Sequence, residues 1–401
     1  MLERILMIHN YYQSHAPSGE DGVFREDEKL LRSKGHKVKL FTRHSDAIKN
    51  FSPLRKMALT WQITWSRESY KAIEQLIRLE KPDIVHVCNT FPLISPSIYY
   101  ACRKYKIPVV QTVQNYRIFC ASGILFRENS VCEECMEHGS IRAIKYGCYR
   151  NSRLQTFPIV FMHQIHRLLG TWMNYIDVYV AATEFSRQKL IQGGLPTERV
   201  AVKPNFFLSM PEPSYSYGDY AVFFGRLSVE KGVRTLLSAW NQLHDLPLKI
   251  VGDGALKEEI ISAINTQNGS SIEFLGFRTH DQCLDLLKNA TFIVMPSEWY
   301  EGFPMTIREA FASGKPVVAS RMGAMAEIVN DGKTGLLFEP GNPNDLATKV
   351  RWLAEHKEIV VQMGKSARAE FETKYTAEKN YEILMNIYKM AIRINKNKNV
   401  K

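Results

Sequence analysis

The sequence predicts an α/β protein with two doubly wound domains, each built on a parallel sheet. Short apolar runs alternate with longer amphipathic stretches along both halves of the chain, which is typical of repeated strand–helix–strand units. The 401 residues suffice for two domains that each bury a full core. A hydrophobic content of 45% with 23% charged residues is ordinary for a globular protein.

The amino-terminal domain is predicted to span residues 1–205. Its strands are expected at residues 4–8, 37–42, 83–87, 108–113, 178–182 and 200–202. Helices are expected between them at residues 23–33, 65–79 and 97–105. A segment at about 118–150 carries few helix or strand signals, and we interpret it as a cysteine-rich insertion.

The carboxy-terminal domain is predicted to span residues 206–376. Its strands are expected at residues 220–224, 248–251, 272–275, 292–295 and 316–319. Residues 204–219 contain three prolines and a glycine without periodicity, and we interpret them as the linker between the domains. A final helix is expected within residues 377–401.

One segment after a predicted strand places Glu301 and Glu309 eight positions apart across a loop-to-helix junction. A turn at 302–304 leads into a helix over residues 305–313, and Gly314 is the expected left-handed stop. The amino terminus of that helix suits phosphate, since its N–H groups and its positive dipole end point outward. The two carboxylates can accept hydrogen bonds from hydroxyl groups. The pattern therefore predicts a site for a phosphorylated, polyhydroxylated ligand such as a sugar nucleotide.

This pair, with seven residues between the two carboxylates and Gly-Phe-Pro after the first, resembles the E-x7-E motif of family 4 glycosyltransferases. Further segments resemble the same family: GRLSVEKG at 225–232, VGDG at 251–254, FLG at 274–276 and DGKTGLLF at 331–338. The resemblance covers most of the carboxyl half. It implies a retaining enzyme of the GT-B architecture, in which two Rossmann-like domains face each other across a cleft. It also implies that the helix within 377–401 packs back on the amino-terminal domain.

The resemblance implies roles for the residues around the two carboxylates. Glu309 would accept hydrogen bonds from the ribose hydroxyls, and Glu301 would contact the transferred sugar. Backbone N–H groups at Phe303 and Met305 would meet the phosphates, because Pro304 has no N–H to donate. The alternative interpretation is that Glu309 is a surface carboxylate on its helix.

Two cations, Arg226 and Lys231, follow the first strand of the carboxy-terminal domain. The resemblance implies that they neutralise the diphosphate and stabilise the charge that grows on the leaving group. With Glu301 they form the predicted catalytic set, although a pair of surface cations at a loop is the alternative. The remaining donor contacts are expected from Gly252, Asp253, Gly254 and Gly302. The two glycines after the strand fit a simple turn as well.

The amino-terminal domain is expected to hold the acceptor. Residues 18–22, which include Gly19, resemble a glycine-rich loop that relatives place near the phosphates, and an ordinary strand-to-helix turn is the alternative. Gln114 stands where many relatives carry a histidine, and an amide cannot act as an acid or a base. Three histidines are interpreted as core or surface residues: His9, His44 and His86.

The mechanism that the resemblance implies requires neither a histidine nor a catalytic metal. The departing diphosphate oxygen assists deprotonation of the acceptor hydroxyl on the same face of the sugar, while the protein orients the reactants and stabilises the leaving group. The sequence also lacks the Asp-x-Asp signature of metal-dependent GT-A glycosyltransferases. We therefore expect no cofactor for catalysis.

Four of the seven cysteines fall in the insertion, at the spacing Cys120-x11-Cys132-x2-Cys135-x12-Cys148. Disulfides are disfavoured in a reducing cytosol. The ligand count fits a tetrahedral structural zinc site that would order the insertion. The alternatives are four unliganded thiols, or an iron–sulfur cluster, for which the sequence offers no redox role.

The net charge of +11 is unevenly distributed along the chain. Residues 138–176 contain no Asp or Glu but five Lys or Arg, and residues 157–175 within them are largely apolar. Such a segment can lie on an anionic lipid surface, and a core helix with a solvated basic flank is the alternative. Nucleic acid is not an expected partner, because no nucleic-acid-binding motif accompanies the charge.

These features together predict a retaining glycosyltransferase that moves a sugar from a UDP- or GDP-sugar to a saccharide, in particular a lipid-linked oligosaccharide of cell-surface polysaccharide assembly. The alternatives are a catalytically silent sugar-nucleotide-binding subunit of an assembly complex and a sugar-nucleotide epimerase with the same fold. The chain begins without a secretory signal and has no run of about twenty apolar residues. We expect a cytoplasmic protein, peripheral on the inner face of the cell membrane.

Overall fold

The computed structural model describes residues 2–14, 18–208, 211–266 and 271–400. They divide into two compact units. The first unit comprises Met1–Leu125, Glu133–Leu208 and Ala377–Lys401, and the second comprises Phe126–Cys132 and Ser209–Thr376. The short segment Phe126–Cys132 thus groups with the second unit, although it lies inside the predicted insertion of the first domain.

The secondary structure alternates between strands and helices along the chain. The strands are β1 Arg4–Tyr11, β2 Lys37–His44, β3 Ile84–Asn89, β4 Val109–Thr112, β5 Phe126–Arg127, β6 Ser130–Val131, β7 Val178–Ala181, β8 Val200–Val202, β9 Ala221–Phe224, β10 Leu248–Val251, β11 Ile272–Gly276, β12 Phe292–Met295, β13 Val317–Ser320 and β14 Gly335–Phe338. The helices are α1 Gly19–Ser33, α2 Pro53–Gln62, α3 Arg67–Glu80, α4 Ser97–Lys104, α5 Glu134–His138, α6 Arg142–Tyr146, α7 Arg153–Leu168, α8 Thr171–Asn174, α9 Glu184–Gln192, α10 Val233–Trp240, α11 Lys257–Thr266, α12 His280–Lys288, α13 Met305–Ala312, α14 Gly323–Ile328, α15 Pro343–Glu355, α16 Lys357–Lys374 and α17 Ala377–Val400.

Among the described residues of the first unit, six strands form a parallel sheet in the order β2-β1-β3-β4-β7-β8. Its central strands are buried on both faces, as is typical of a parallel sheet covered by helices on each side. One face packs against α17, which contributes Leu384, Ile387, Tyr388 and Ala391 to the core.

A buried ion pair links α17 to the rest of the first unit. The ammonium of Lys203 donates to Asp27 of α1 at 2.9 Å and to the amide oxygen of Asn380 in α17 at 3.1 Å. The side chains of Lys203 and Asp27 are almost fully buried. Since a buried charge is stable only when it is paired, this contact ties the first and last helices of the unit together.

In the described part of the second unit, six strands form a parallel sheet in the order β11-β10-β9-β12-β13-β14. This is the doubly wound order in which the chain starts at the centre, builds outward, and then returns to the other side of the first strand. The order reverses between β9 and β12. Ligands of open α/β sheets bind outside the carboxyl ends of the strands at such a reversal, so this edge is where a site is expected.

The predicted fold class is confirmed, and the differences are local. The helix α2 and the strand β14 were not among the predicted elements. Residues 18–22, predicted as a loop, instead cap and begin α1, because Ser18 accepts the N–H of Glu20 at its amino terminus and forms a capping box with Asp21. The predicted linker lies partly outside the described residues, and its first part packs inward through Phe206 and Phe207.

Candidate active site

The loops that follow β9 and β12 pack closely through their backbones at the point where the strand order of the second sheet reverses. The backbone N–H of Glu298 donates to the carbonyl of Glu230 at 2.9 Å. Gly232 adopts a left-handed φ of +67°, and a Cβ built there would lie 1.7 Å from the carbonyl oxygen of Pro296. Because any other residue at Gly232 would force the two loops apart, the glycine allows Lys231 of one loop to lie beside Glu301 of the other.

These loops bring Lys231 and Glu301 into a short ion pair. The ammonium of Lys231 lies 2.6 Å from Oε1 of Glu301, and the two side chains are only 18% and 8% exposed. The hydroxyl of Ser297 donates to the same carboxylate oxygen at 2.8 Å. The ammonium also lies 5.3 Å from the centre of the Trp299 ring. The site thus contains a shielded cation and a shielded carboxylate side by side.

Arg226 occupies a different position from Lys231. Its side chain is 62% exposed and its guanidinium lies 3.3 Å from Glu230, in the same loop. An exposed guanidinium of this kind can move toward an arriving anion at little cost, because its present ion pair is solvated. Both predicted cations therefore follow β9: Lys231 is partly buried against Glu301, and Arg226 is exposed.

The segment 252–254 packs backbone against backbone on the loop after β9. The N–H of Leu227 donates to the carbonyl of Asp253 at 2.9 Å. Gly252 and Gly254 have φ values of +149° and +157°, and a Cβ on either would lie within 2.4 Å of a carbonyl oxygen in residues 225–227. These glycines are required for close packing of the two loops, and their predicted contact with the donor stays a prediction.

The helix α13 presents Glu309 on a buried face. It begins directly after Pro304, whose carbonyl accepts the N–H of Ile307 at 3.1 Å. The exposed fraction of Glu309 is 9%, so the alternative of a surface carboxylate is wrong. Its Oε1 lies 3.7 Å from Nδ1 of His280, a residue at the start of α12 that the sequence analysis did not select. Phe303 is buried and packs edge-on against Tyr375.

A second polar cluster lies at the carboxyl edge of the sheet in the first unit, and the sequence analysis did not identify it. Glu20 accepts hydrogen bonds from the Asn115 amide at 2.5 Å and from the Tyr12 hydroxyl at 3.1 Å. Burial raises the pKa of the Glu20 carboxyl above its ordinary value, and the bonds from Asn115 and Tyr12 act in the opposite direction. Beside it, Nε2 of His9 lies 2.7 Å from Asp21. The sequence signal that could have revealed this cluster is the position of its residues after β1 and β4, because parallel strands present their carboxyl ends at one edge of the sheet.

Three other residues that the sequence analysis considered in the first unit have defined positions or hydrogen-bond partners. Gly19 is the first residue of α1, so its predicted place beside the phosphates stays a prediction. The amide of Gln114 donates to Asn205 at 3.1 Å. His86 is fully buried between the hydroxyls of Tyr388 and Thr112, and burial lowers its pKa to about 4.

Three of the four cysteines of the insertion lie in the first unit. Cys120 is buried, and hydrogen bonds from the thiol of Cys135 and the hydroxyl of Ser122 lower its pKa to about 5. Cys135 and Cys148 pack on one apolar cluster of this unit, whereas Cys132 belongs to the segment that groups with the second unit. Across the described ranges of the chain, no three His, Cys, Asp or Glu side chains form a group that could hold a metal ion. The zinc site stays a prediction.

Comparison with known proteins identifies the family. The model described as "Glycosyltransferase Family 4" matches residues 28–207, and that described as "Glycosyl transferases group 1" matches residues 211–370. The chain belongs to the family 4 glycosyltransferases. Its fold is the α/β GT-B fold, and the predicted family and fold are confirmed.

One relative is similar to the chain over part of its length. An uncharacterized glycosyltransferase of Methanocaldococcus jannaschii, MJ1178, is 38% identical over 167 residues. The match covers 41% of this chain and 47% of the relative, so the chain spans about half the length of that protein.

No described helix of this family 4 chain is long and apolar enough to cross a membrane.

Two solved structures show the same fold at low sequence identity. Anabaena Alr3699/HepE, in complex with UDP and glucose, is 19% identical with a TM-score of 0.64, over 96% of this chain and 99% of that chain. The lipopolysaccharide outer core galactosyltransferase WaaB is 16% identical with a TM-score of 0.62, over 96% of this chain and 98% of that chain. At these identities the likeness establishes the fold of this family 4 member.

Proposed function

We propose that this family 4 glycosyltransferase transfers a sugar, with retention of configuration, from a nucleoside diphosphate sugar to a saccharide acceptor. The observation that carries the proposal is the Lys231–Glu301 pair at the reversal point of the second sheet. A diphosphate that enters beside Lys231 competes with Glu301 for the ammonium. The carboxylate that is released can then accept hydrogen bonds from hydroxyls of the sugar.

The charges of the site match the parts of such a donor. The amino terminus of α13 presents backbone N–H groups and a positive dipole end to the diphosphate. Arg226 and Lys231 add two cations that offset part of the charge on a leaving diphosphate, and the proposal assigns no step to a catalytic metal. Glu309, buried on the same helix, is assigned to the ribose hydroxyls.

Similar proteins support a choice of donor and acceptor class. The Anabaena structure contains UDP and glucose, which supports a UDP-linked sugar, and a GDP-linked sugar is the second candidate. WaaB acts on lipopolysaccharide, which supports a lipid-linked saccharide of the cell surface as the acceptor class. We assign the acceptor to the first unit, where the Glu20–Asn115 cluster offers buried hydrogen-bonding groups. The cytoplasmic location expected from the sequence stays a prediction.

The test combines donor binding with turnover. Thermal shifts with UDP and GDP, with and without EDTA, should show stabilisation by one diphosphate that is independent of metal. Release of that diphosphate from its sugar donor is then measured for the native chain and for Lys231→Met, with Lys365→Ala on the exposed face of α16 as control. Lys231→Met should lose most of the turnover, whereas the control should keep it.

Each alternative has a distinct outcome. Binding of the diphosphate without release from any sugar donor identifies a silent binding subunit. Conversion of the donor to another sugar nucleotide, with no free diphosphate, identifies an epimerase. Inversion at the anomeric carbon, read by NMR of the product, overturns the retaining assignment while leaving the transferase itself intact.

A further inference from the structure

The helix α2 exposes an apolar stripe that the fold does not use. None of its residues, all of which the structure describes, is buried. Leu54, Met57 and Trp61 are 75%, 67% and 60% exposed. Their spacing of three and then four residues places them on one face of the helix. A helix with this face in water is unusual, because exposed large apolar side chains in contact with one another mark interaction surfaces.

The helix α7 carries a second stripe with the same spacing. Leu154, Phe157 and Phe161 follow one face, and Leu168 continues it two turns later. Leu154 is 83% and Leu168 is 82% exposed, while the ring of Phe157 stacks on that of Phe161. The opposite side of α7 packs into the core of the unit through Ile159, Val160 and Met162.

The two stripes meet in the folded unit. The rings of Trp61 and Phe161 touch edge to face, with their centres 5.4 Å apart. Leu59 and Ile63 beside Trp61 pack on the same apolar cluster as the buried side of α7. The surface formed by Leu54, Met57, Trp61, Leu154, Phe157 and Phe161 is called the α2–α7 face below.

The α2–α7 face is surrounded by positive charge. Residues 47–67, which contain α2, have no Asp or Glu and four Lys or Arg. Residues 138–176, which contain α7, have none and five. Arg55, Lys56 and Arg153 are exposed beside the apolar side chains. The fold therefore brings together the two acid-free stretches, which are far apart in sequence.

We propose that the α2–α7 face docks on the surface of an anionic lipid bilayer. Trp61 and the aromatic rings of α7 suit the boundary between headgroups and acyl chains, and the basic residues suit anionic headgroups. A second copy of the chain is a poor occupant, because two such faces would bring like charges together. The proposal does not depend on the transferase chemistry, since binding to lipid can be measured without donor or acceptor.

The experiment measures binding of the full chain to vesicles by flotation. Vesicles of phosphatidylcholine alone are compared with vesicles that contain three parts in ten of phosphatidylglycerol, at low and high salt. We expect binding to the anionic vesicles, at least tenfold weaker binding to the neutral ones, and loss of binding at high salt because the charges are screened.

Two sets of variants separate the apolar from the charged contribution. The variant Leu54→Ser/Met57→Ser/Trp61→Ser should bind the vesicles at least tenfold more weakly. The control Leu79→Ser, at a leucine of similar exposure on α3, should bind them as the native chain does. Arg55→Glu/Lys56→Glu should abolish binding to anionic vesicles. Its control, Lys29→Glu/Lys71→Glu, makes the same charge change at exposed positions on α1 and α3. Circular dichroism verifies that each variant is folded.

Three outcomes overturn the proposal. Equal binding to neutral and anionic vesicles contradicts the electrostatic part, and equal loss in each variant and its control contradicts the location. Absence of vesicle binding, together with a concentration-dependent dimer that Leu54→Ser/Met57→Ser/Trp61→Ser dissociates, identifies the face as an interface between copies of the chain.

Discussion

Replacing Lys231 by methionine is expected to impair both the stability of the second unit and the turnover of the enzyme. The side chain of Glu301 is 8% exposed, and its Oε1 accepts from the Lys231 ammonium at 2.6 Å and from Ser297 at 2.8 Å. Without the ammonium, a shielded carboxylate keeps one hydroxyl neighbour. A hydrogen bond to a charged group contributes about 1.5–3 kcal/mol, so the single variant should lose stability in that range.

A double-mutant cycle isolates the interaction. Urea unfolding is measured for the native chain, Lys231→Met, Glu301→Gln and the double variant. Each single change should cost about 2 kcal/mol, and the double variant should cost clearly less than their sum, because the second change removes a group that the first has already left unpaired.

The same variants report on catalysis. Loss of one preorganised cation at the leaving group should lower kcat about 10²–10³-fold, as removal of an oxyanion-stabilising donor does. Additive stabilities in the cycle would contradict the ion pair. Native kcat in Lys231→Met would contradict its role at the diphosphate, even if the cycle showed strong coupling.

Further predictions concern binding, stability, pH and metal. Glu309→Gln should raise the donor KM at least tenfold through loss of a charged acceptor for the ribose, whereas Glu258→Gln on the exposed face of α11 should not; steady-state kinetics compares them. Lys203→Met should lower the free energy of unfolding by about 3–5 kcal/mol, because it leaves Asp27 charged and buried, and Lys203→Met/Asp27→Leu should recover much of the loss in urea unfolding. Burial lowers the pKa of His86 to about 4, so the unfolded chain binds a proton first as the pH falls below about 6.5. Stability should therefore decrease between pH 6.5 and 4, by up to about 3 kcal/mol for this group, and His86→Gln should flatten that dependence. Metal analysis of freshly purified protein should show one zinc per chain if the four cysteines of the insertion hold it; a metal-free, folded chain would end that hypothesis.

Much of the second unit could be predicted because its signals are local. The strands Leu248–Val251 and Phe292–Met295 are short apolar runs between turn residues, and the structure has them at the predicted bounds. Gly314 stops α13 in the left-handed conformation, with φ +70°, as its position after the last apolar turn indicates. Such features depend on neighbouring residues alone.

The first unit was harder to predict because its polar residues act across the fold. Glu20 and Asn115 are 95 positions apart, and only the pairing of strands in the sheet places them at one edge. The helix α2 has a capping serine before Pro53, yet its Leu54, Met57 and Trp61 remain exposed. Periodicity predicts a helix at such a position but does not show whether its apolar face is covered.

The sequence by itself determined the class of the protein: the alternation of strands and helices, the two carboxylates eight positions apart, and the cations after the first strand of the second domain. Only the tertiary structure decided that Lys231 pairs with Glu301 at a distance of 70 positions, that Glu309 is buried, and that two basic apolar stripes join at Trp61 and Phe161. The physical reason is that local propensities and turn residues define single elements, whereas contacts between distant side chains depend on sheet register and close packing.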